Sequence, residues 1–237
     1  MNEITIGIIL SLFAGLAITL GAWLASIKIC HSYWRREELK HAITAFGGGA
    51  LISAIAFVLI PEGTEHQSHF SSLVTFGLGG VCFMFIDILL AKSESKLAQF
   101  FAMMLDFVPE AIILGVVVIS GNINQAIFIS IVIAAQNLPE GYSAYVEMAE
   151  DKRSKKNLLI KFLMVGLTGP IYLFLGTHIF SQSPMALSMI LTFCAGGVLY
   201  LVFEDISPKV AMKKHFLPPL GAVAGFMVGL AGYLIVG

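Results

Sequence analysis

Of the 237 residues, 57% are apolar and only 12% are charged, which excludes a water-soluble domain of this size, because its surface could not tolerate that composition. The formal net charge of −1, with Lys and Arg confined to short connecting segments, excludes nucleic acid as a partner and leaves the lipid bilayer as the solvent. Cys30, Cys82 and Cys194 form no CxxC pair, so neither a disulfide framework nor a thiolate metal cage is indicated and packing accounts for them.

A hydrocarbon core roughly 30 Å thick needs about 20 helical residues. Apolar runs of that length occur near residues 4–26, 42–60, 71–91, 97–120, 125–149, 158–181, 185–206 and 216–236. They predict an all-α integral membrane protein of eight spans, a single transmembrane domain over 1–237 with no separate soluble domain. The run at 4–26 is too long and uninterrupted for a signal-peptide core and is expected to be a retained first span. The 14 Lys and Arg fall in or beside alternate connections: Lys28 to Lys40, Lys92 and Lys96, Lys152 to Lys161, and Lys209 to Lys214. Under the positive-inside rule those connections are cytoplasmic, so both termini are expected outside a multi-pass plasma-membrane protein.

Span two reads FGGGALISAIAFVLIPE from Phe46 to Glu62, and span seven reads FCAGGVLYLVFEDISPK from Phe193 to Lys209. Gly49 matches Gly196 and Pro61 matches Pro208, yet the topology makes the two spans run in opposite directions. That pattern predicts an inverted repeat of spans one to three against six to eight, in a 3+2+3 arrangement. The plainer alternative is that helices packed in lipid need small residues. After span two, Glu62, Glu65, His66 and His69 make an acidic, histidine-bearing outer loop that could collect metal, or simply a solvated one. Asp87 is expected to pair at the interface with Lys92.

Span four places Asp106 and Glu110 four residues apart, hence on one helix face near mid-membrane. Span five repeats the device with Gln136 and Glu140, and Asn137 alongside. Pro109 and Pro139 each precede the glutamate, and the carbonyls of Leu105 and Ala135 are expected to lose their usual donors. A carboxylate at the bilayer centre costs on the order of 3 kcal/mol even on lenient insertion scales. With every Lys and Arg in the connections, the counter-charge must be a proton or a bound cation. Asp106, Glu110, Glu140, Gln136 and Asn137 form an oxygen-rich set suited to a divalent ion, with one carboxylate able to hold or exchange a proton. The alternative is protonated acids hydrogen-bonded between two helices. Further along, Glu204 and Asp205 end span seven, where the plain reading is a helix end pairing with Lys209; Tyr142 and Tyr145 line a vestibule or the lipid interface; His31, His41 and His215 sit among the basic connections as headgroup or solvent contacts, and His178 is placed at the interface near the outer end of span six.

The paired signatures MMLDFVPEAIILG and AAQNLPEGYSAY resemble those of the ZIP (Zrt/Irt-like) family of divalent metal ion transporters, whose fourth and fifth spans carry His-Asn-x-Pro-Glu-Gly or related motifs. The resemblance covers nearly the whole chain and reads as a divergent, short, bacterial-type member. It implies eight spans with outward termini, inverted repeats, an elevator-like slide of the bundle holding the metal, frequent homodimers, and import of zinc, iron or manganese (Zn2+, Fe2+ or Mn2+ as substrate, with no organic cofactor). It also implies a release site at Glu204 and Asp205. Residue by residue, Asp106 stands at the family's first histidine, Phe107 at its asparagine and Ala111 at its glycine, while Glu110 keeps the acid. Gln136 stands at the fifth-span histidine, and Asn137, Glu140 and Gly141 match the pattern. Loss of asparagine at 107 favours one bound metal over two. Loss of both histidines shifts the expected cargo from zinc toward oxygen-preferring ions. The family's histidine-rich loop between spans three and four is missing.

No enzyme is expected: Asp87 and Asp106 are not set in a GxGD motif, and no HExxH occurs. A proton-coupled carrier of an organic cation is the competing function. It calls for aromatic caging of the acids, whereas Phe107 is the one aromatic residue between Asp106 and Glu110.

Overall fold

The computed structural model describes residues 2–27, 33–92, 97–149, 155–210 and 216–236. Every element among them is helical. In chain order they are α1 (Glu3–Ser26), α2 (Tyr33–Ala54), a π turn (Ile55–Leu59), α3 (Ile60–Thr64), α4 (His69–Lys92), α5 (Leu97–Ile119) and α6 (Ile123–Ala149). Then come α7 (Lys155–Gly166), α8 (Gly169–His178), a 3-10 turn (Phe180–Gln182), α9 (Pro184–Leu201), a second π turn (Val202–Ile206), α10 (Ser207–Val210) and α11 (Leu217–Val236).

Six helical segments are long and apolar enough to cross a membrane: Glu3–Ser26, Glu38–Thr64, His69–Leu89, Lys155–Gln182, Pro184–Ile206 and Leu217–Ile235. They coincide with the expected spans one, two, three, six, seven and eight. Helices α5 and α6, of 23 and 27 residues, cover the runs expected as the fourth and fifth spans and are not among these six; α6 is the more polar because it carries Gln136, Asn137 and Glu140. The outward surface is apolar: Phe70, Leu73, Phe85 and Leu89 on α4 and Leu234 and Ile235 on α11 are all exposed. Such a surface belongs to a membrane-embedded helical protein, where helices satisfy their own backbone groups and lipid tolerates exposed hydrocarbon. Helices α4 and α11 are peripheral, with 22% and 17% of their spanning windows buried against 67% for the segment containing α2. The core lies where α1, α5 and α6 meet, around Ile18, Leu114 and Ile129.

Glycines set the helix spacing. Gly21 on α1 lies against the Leu138 carbonyl of α6, and Gly141 on α6 against the Ile18 carbonyl of α1. The same reciprocal contact joins α5 to α8 (Gly115 on Leu173, Gly176 on Ile112), α2 to α11 (Gly49 on Ala222, Gly225 on Phe46) and α4 to α9 (Gly79 on Phe193, Gly196 on Phe76). A Cβ at any of them would overlap a carbonyl oxygen. With none, the backbones approach closely enough for dispersion and weak Cα–H···O contacts to hold the pair where lipid gives no hydrophobic drive. Exchanging the first three spans with the last three, and α5 with α6, returns the same neighbours: α2 with α11 becomes α9 with α4, and α1 with α6 becomes α8 with α5.

Three features depart from uninterrupted spans. Helix α2 does not stop near residue 60 but passes through a π turn into α3, and α9 likewise passes into α10. Both π turns begin six residues before a proline, Pro61 or Pro208, and end on a wide bond, Ile60 N–H to the Ile55 carbonyl and Ser207 N–H to the Val202 carbonyl. A proline cannot donate to the preceding turn, and the wider turn absorbs the mismatch without ending the helix. Glu204 and Asp205 therefore sit inside a helical run rather than at its end. The sixth span breaks between α7 and α8 ahead of Pro170, where Thr168 Oγ1 donates to the Val165 carbonyl at 2.6 Å. Gly166 and Gly169 beside the break press against the Gly15 and Ser11 carbonyls of α1.

Candidate metal centre

Pro109 and Pro139 lie inside α5 and α6, which continue through them, so the residues on either side of each proline keep helical spacing. Glu110 is 4% exposed, and Gln136 and Asn137 are fully buried. The Gln136 amide nitrogen donates to Glu110 Oε1, joining α5 to α6. The Asn137 amide nitrogen donates to the Ala14 carbonyl of α1 at 2.9 Å. A backbone carbonyl only accepts, so Ala14 fixes the nitrogen end of the Asn137 amide, and Glu110 fixes that of Gln136 when it is ionised. Gln136 Oε1 and Asn137 Oδ1 are then left buried with no donor among the described residues. Both carboxylate oxygens of Glu140, and Glu110 Oε2, are likewise shielded from solvent. Glu140 follows Gln136 by four residues and Asn137 by three, so the three share one side of α6.

The surroundings make this arrangement stiff. Gly21 and Gly141 clamp α1 to α6 at Leu138 and Gly141, next in sequence to Asn137 and Glu140, and Gly115 and Gly176 clamp α5 to α8 just over one turn beyond Glu110. Gly47 of the Gly47–Gly49 run faces the Pro139 ring; its neighbours Gly48 and Gly49 face Ile206 and Ala222, so three glycines serve three different neighbours. Thr44 Oγ1 and Ser143 Oγ lie 2.8 Å apart and tie α2 to α6. At the other end of α6, Gln125 Nε2 donates to Glu62 Oε1 at 2.8 Å.

Of the expected site residues, Glu110 and Gln136 are directly bonded, and Asn137 and Glu140 adjoin them. Asp106 lies on α5 one turn before Glu110, and its side chain falls outside the described residues. Among the described residues no three His, Cys, Asp or Glu gather to hold a metal, so the described acidic part of this centre is the pair Glu110 and Glu140. Phe107 does not share the site: its ring packs edge-on to Tyr172 at 6.3 Å, in the groove left by Gly15 and Gly169. Tyr145 is buried against Phe162 on α7, centroids 6.2 Å apart, as a core residue rather than a vestibule wall. Tyr142 is half-buried.

The peripheral candidates separate. Glu62 belongs to α3, is half-buried and is engaged by Gln125. Glu65 and His66 are exposed and 3.8 Å apart, and His69 opens α4 in an exposed position. Glu204 is exposed and Asp205 half-buried on the second π turn. Asp87 accepts from Tyr200 Oη at 3.2 Å, across α4 and α9; the side chain of Lys92, its expected partner, falls outside the described residues. His178 stacks on Phe174 at 3.9 Å, while His31 and His215 lie outside the described residues.

Three contributors escaped the reading of the sequence: the Ala14 carbonyl, the Thr44–Ser143 pair and Gln125. Ser143 and Gln125 left a signal, as polar residues at helical spacing from Glu140 and Gln136 on α6; Thr44, on α2, left none. Neither a protein-family model nor a curated protein matches this chain.

Proposed function

We propose that the protein moves divalent metal ions such as manganese, iron(II) or zinc into the cytoplasm, through a centre formed by Asp106, Glu110, Gln136, Asn137 and Glu140. The observation that carries this reading is the pair of buried amide oxygens, Gln136 Oε1 and Asn137 Oδ1, held without donors beside two carboxylates. A protein–protein lock between helices would use such oxygens up. A cation needs them. Helices α5 and α6 themselves contain no Lys or Arg, and a bound cation would offset the cost of acids set in the membrane.

In this reading α5 and α6 complete eight spans, both termini lie outside the plasma membrane, and spans one to three and six to eight form an inverted repeat. The matching π turns, the reciprocal glycine contacts and the exchange-invariant neighbour pattern support the repeat. Its pseudo-two-fold relates α5 to α6, Gly115 to Gly141 and Ile112 to Leu138, and so Glu110 to Gln136, the pair bonded across the two helices at the proposed ion site. Fully buried donors require alternating access, with the ion shed of much of its water at the centre and the resemblance pointing to an elevator-like slide. Glu204 and Asp205 on the second π turn are the proposed cytoplasmic release point.

Binding tests the centre independently of transport. An ion at a hundred times its dissociation constant stabilises the folded state by about 2.7 kcal/mol, so manganese(II) or zinc(II) should raise the unfolding temperature of the parent in detergent. Glu140→Ala should fold and lose that increment. An equal metal-dependent shift in Glu140→Ala would remove this site from the account.

A further inference from the structure

Two side-chain hydrogen bonds tie α6 to the continuous helix made by α2, its π turn and α3, one on each side of the buried oxygens. Toward the start of α6, Gln125 Nε2 reaches Glu62 Oε1 at 2.8 Å. Toward its end, Ser143 Oγ meets Thr44 Oγ1 at 2.8 Å. Gln125, Ile129, Gln136, Glu140 and Ser143 recur at helical spacing and share one face of α6, so both bonds lie in line with the metal centre.

We propose that Glu62 and Gln125 form a cation-operated outer gate over that centre: an incoming divalent ion takes the Glu62 carboxylate, Gln125 is released, and the seam between α6 and α3 opens. The inference rests on the transport reading and its topology. Its chemistry follows from the difference between the two bonds. The outer one joins a carboxylate to a neutral amide, and a divalent ion offers a carboxylate a stronger partner than an amide N–H does. The inner one joins two hydroxyls and has no anionic oxygen for a cation to take. Arrival of an ion therefore loosens the outer seam and leaves the inner one shut, which gives one-sided access.

The two sides of the outer bond are unequally anchored. Ser188 Oγ on α9 donates to the Glu62 carbonyl at 3.2 Å. Gln67 Nε2 reaches the Gly63 carbonyl at 2.6 Å, the Ser188 carbonyl at 3.1 Å and Thr192 Oγ1 at 2.8 Å. These contacts fix α3 to α9. Gln125 stands in the first turn of α6, behind the tight turn at Gly121, whose φ of 81° suits glycine. Asn122 Nδ2 donates to Gln125 Oε1 at 3.0 Å, which turns the amide nitrogen toward Glu62. The side that yields is thus the start of α6, the helix carrying three of the proposed ligands.

A reporter cysteine tests this apart from uptake. Ile129 is 2% exposed and lies on the α6 face between Gln125 and Gln136. Ile129→Cys would be made in a chain whose Cys30, Cys82 and Cys194 are changed to serine, reconstituted, and labelled with a membrane-impermeant maleimide from the outer side. Labelling should be slow and should rise on adding manganese(II) or zinc(II). Gln125→Ala should raise it without metal by roughly tenfold, the factor that about 1.4 kcal/mol of charge-assisted hydrogen bond represents. Glu62→Gln should abolish the metal response, and Glu62→Asp should keep it, which guards against a fold defect. A metal response that persists in Glu62→Gln, or slow labelling in Gln125→Ala, would overturn the gate. Metal-driven labelling with no uptake of any ion would sink the transport reading and leave the gate standing; uptake with labelling unmoved by metal would sink the gate alone.

Discussion

Adding one methyl group at Gly21 should do more damage than its size suggests. A Cβ there would overlap the Leu138 carbonyl oxygen and stand 2.9 Å from both the Leu138 carbonyl carbon and the Tyr142 nitrogen, all backbone atoms of α6 that cannot rotate away. Ordinary van der Waals contact is reached only if α1 and α6 move apart by about 1 Å or more, which loosens the reciprocal contact at Gly141 and stretches the 2.9 Å bond from Asn137 to the Ala14 carbonyl. Overpacking of this kind costs about 1–3 kcal/mol. At the roughly 2–4 °C per kcal/mol of a chain this long, Gly21→Ala should lower the detergent unfolding temperature by several degrees and weaken metal binding as well. Gly77→Ala is the matched control, since a Cβ there meets nothing within 4 Å and relief of glycine's backbone entropy favours the helix by about 0.5–1 kcal/mol. If the two variants unfold at the same temperature, the close approach of α1 and α6 does not hold the site as argued.

Gln136→Leu removes the donor to Glu110 and a proposed metal ligand together. It should lower stability by about 1–3 kcal/mol and abolish metal-dependent stabilisation, read from the same unfolding curves with and without manganese(II). Phe107→Ala should be costly in the opposite sense, losing about 3–5 kcal/mol of packing against Tyr172 and the α1 groove while the ion-dependent increment survives in whatever protein folds. Tyr200→Phe deletes the bond to Asp87 and should cost about 0.5–1.5 kcal/mol, with the kinetics of metal uptake unchanged.

Side-chain chemistry was legible in the sequence; backbone partnerships were not. Six apolar runs and the oxygen-bearing residues at helical spacing on α5 and α6 stand out because composition and period carry them. The glycines at 49 and 196 are visible too, but not that each meets a particular carbonyl, since a carbonyl has no residue identity to read. The same limit hides Ala14, whose side chain says nothing and whose carbonyl orients Asn137. Pro61 and Pro208 mark where α-helical bonding must fail; whether the helix stops or widens into a π turn depends on tertiary packing, of the first π turn on α9 and of the second on α2, that no local window contains. Pro170 and its flanking glycines mark the break in the sixth span in retrospect, yet Pro109 and Pro139 sit inside helices that run on. Phe107 stands between Asp106 and Glu110 in the motif, and its position there does not show that its ring packs by Gly15, Gly169 and Tyr172.

The most direct test of the account is uptake by proteoliposomes of zinc, manganese, iron(II), cobalt, cadmium and magnesium, comparing the parent with Asp106→Asn and Glu140→Gln. The account expects the parent to take up at least one of these ions and both variants to lose it while remaining folded. Uptake that is indifferent to both acids, or a folded parent that moves none of the six, would contradict it.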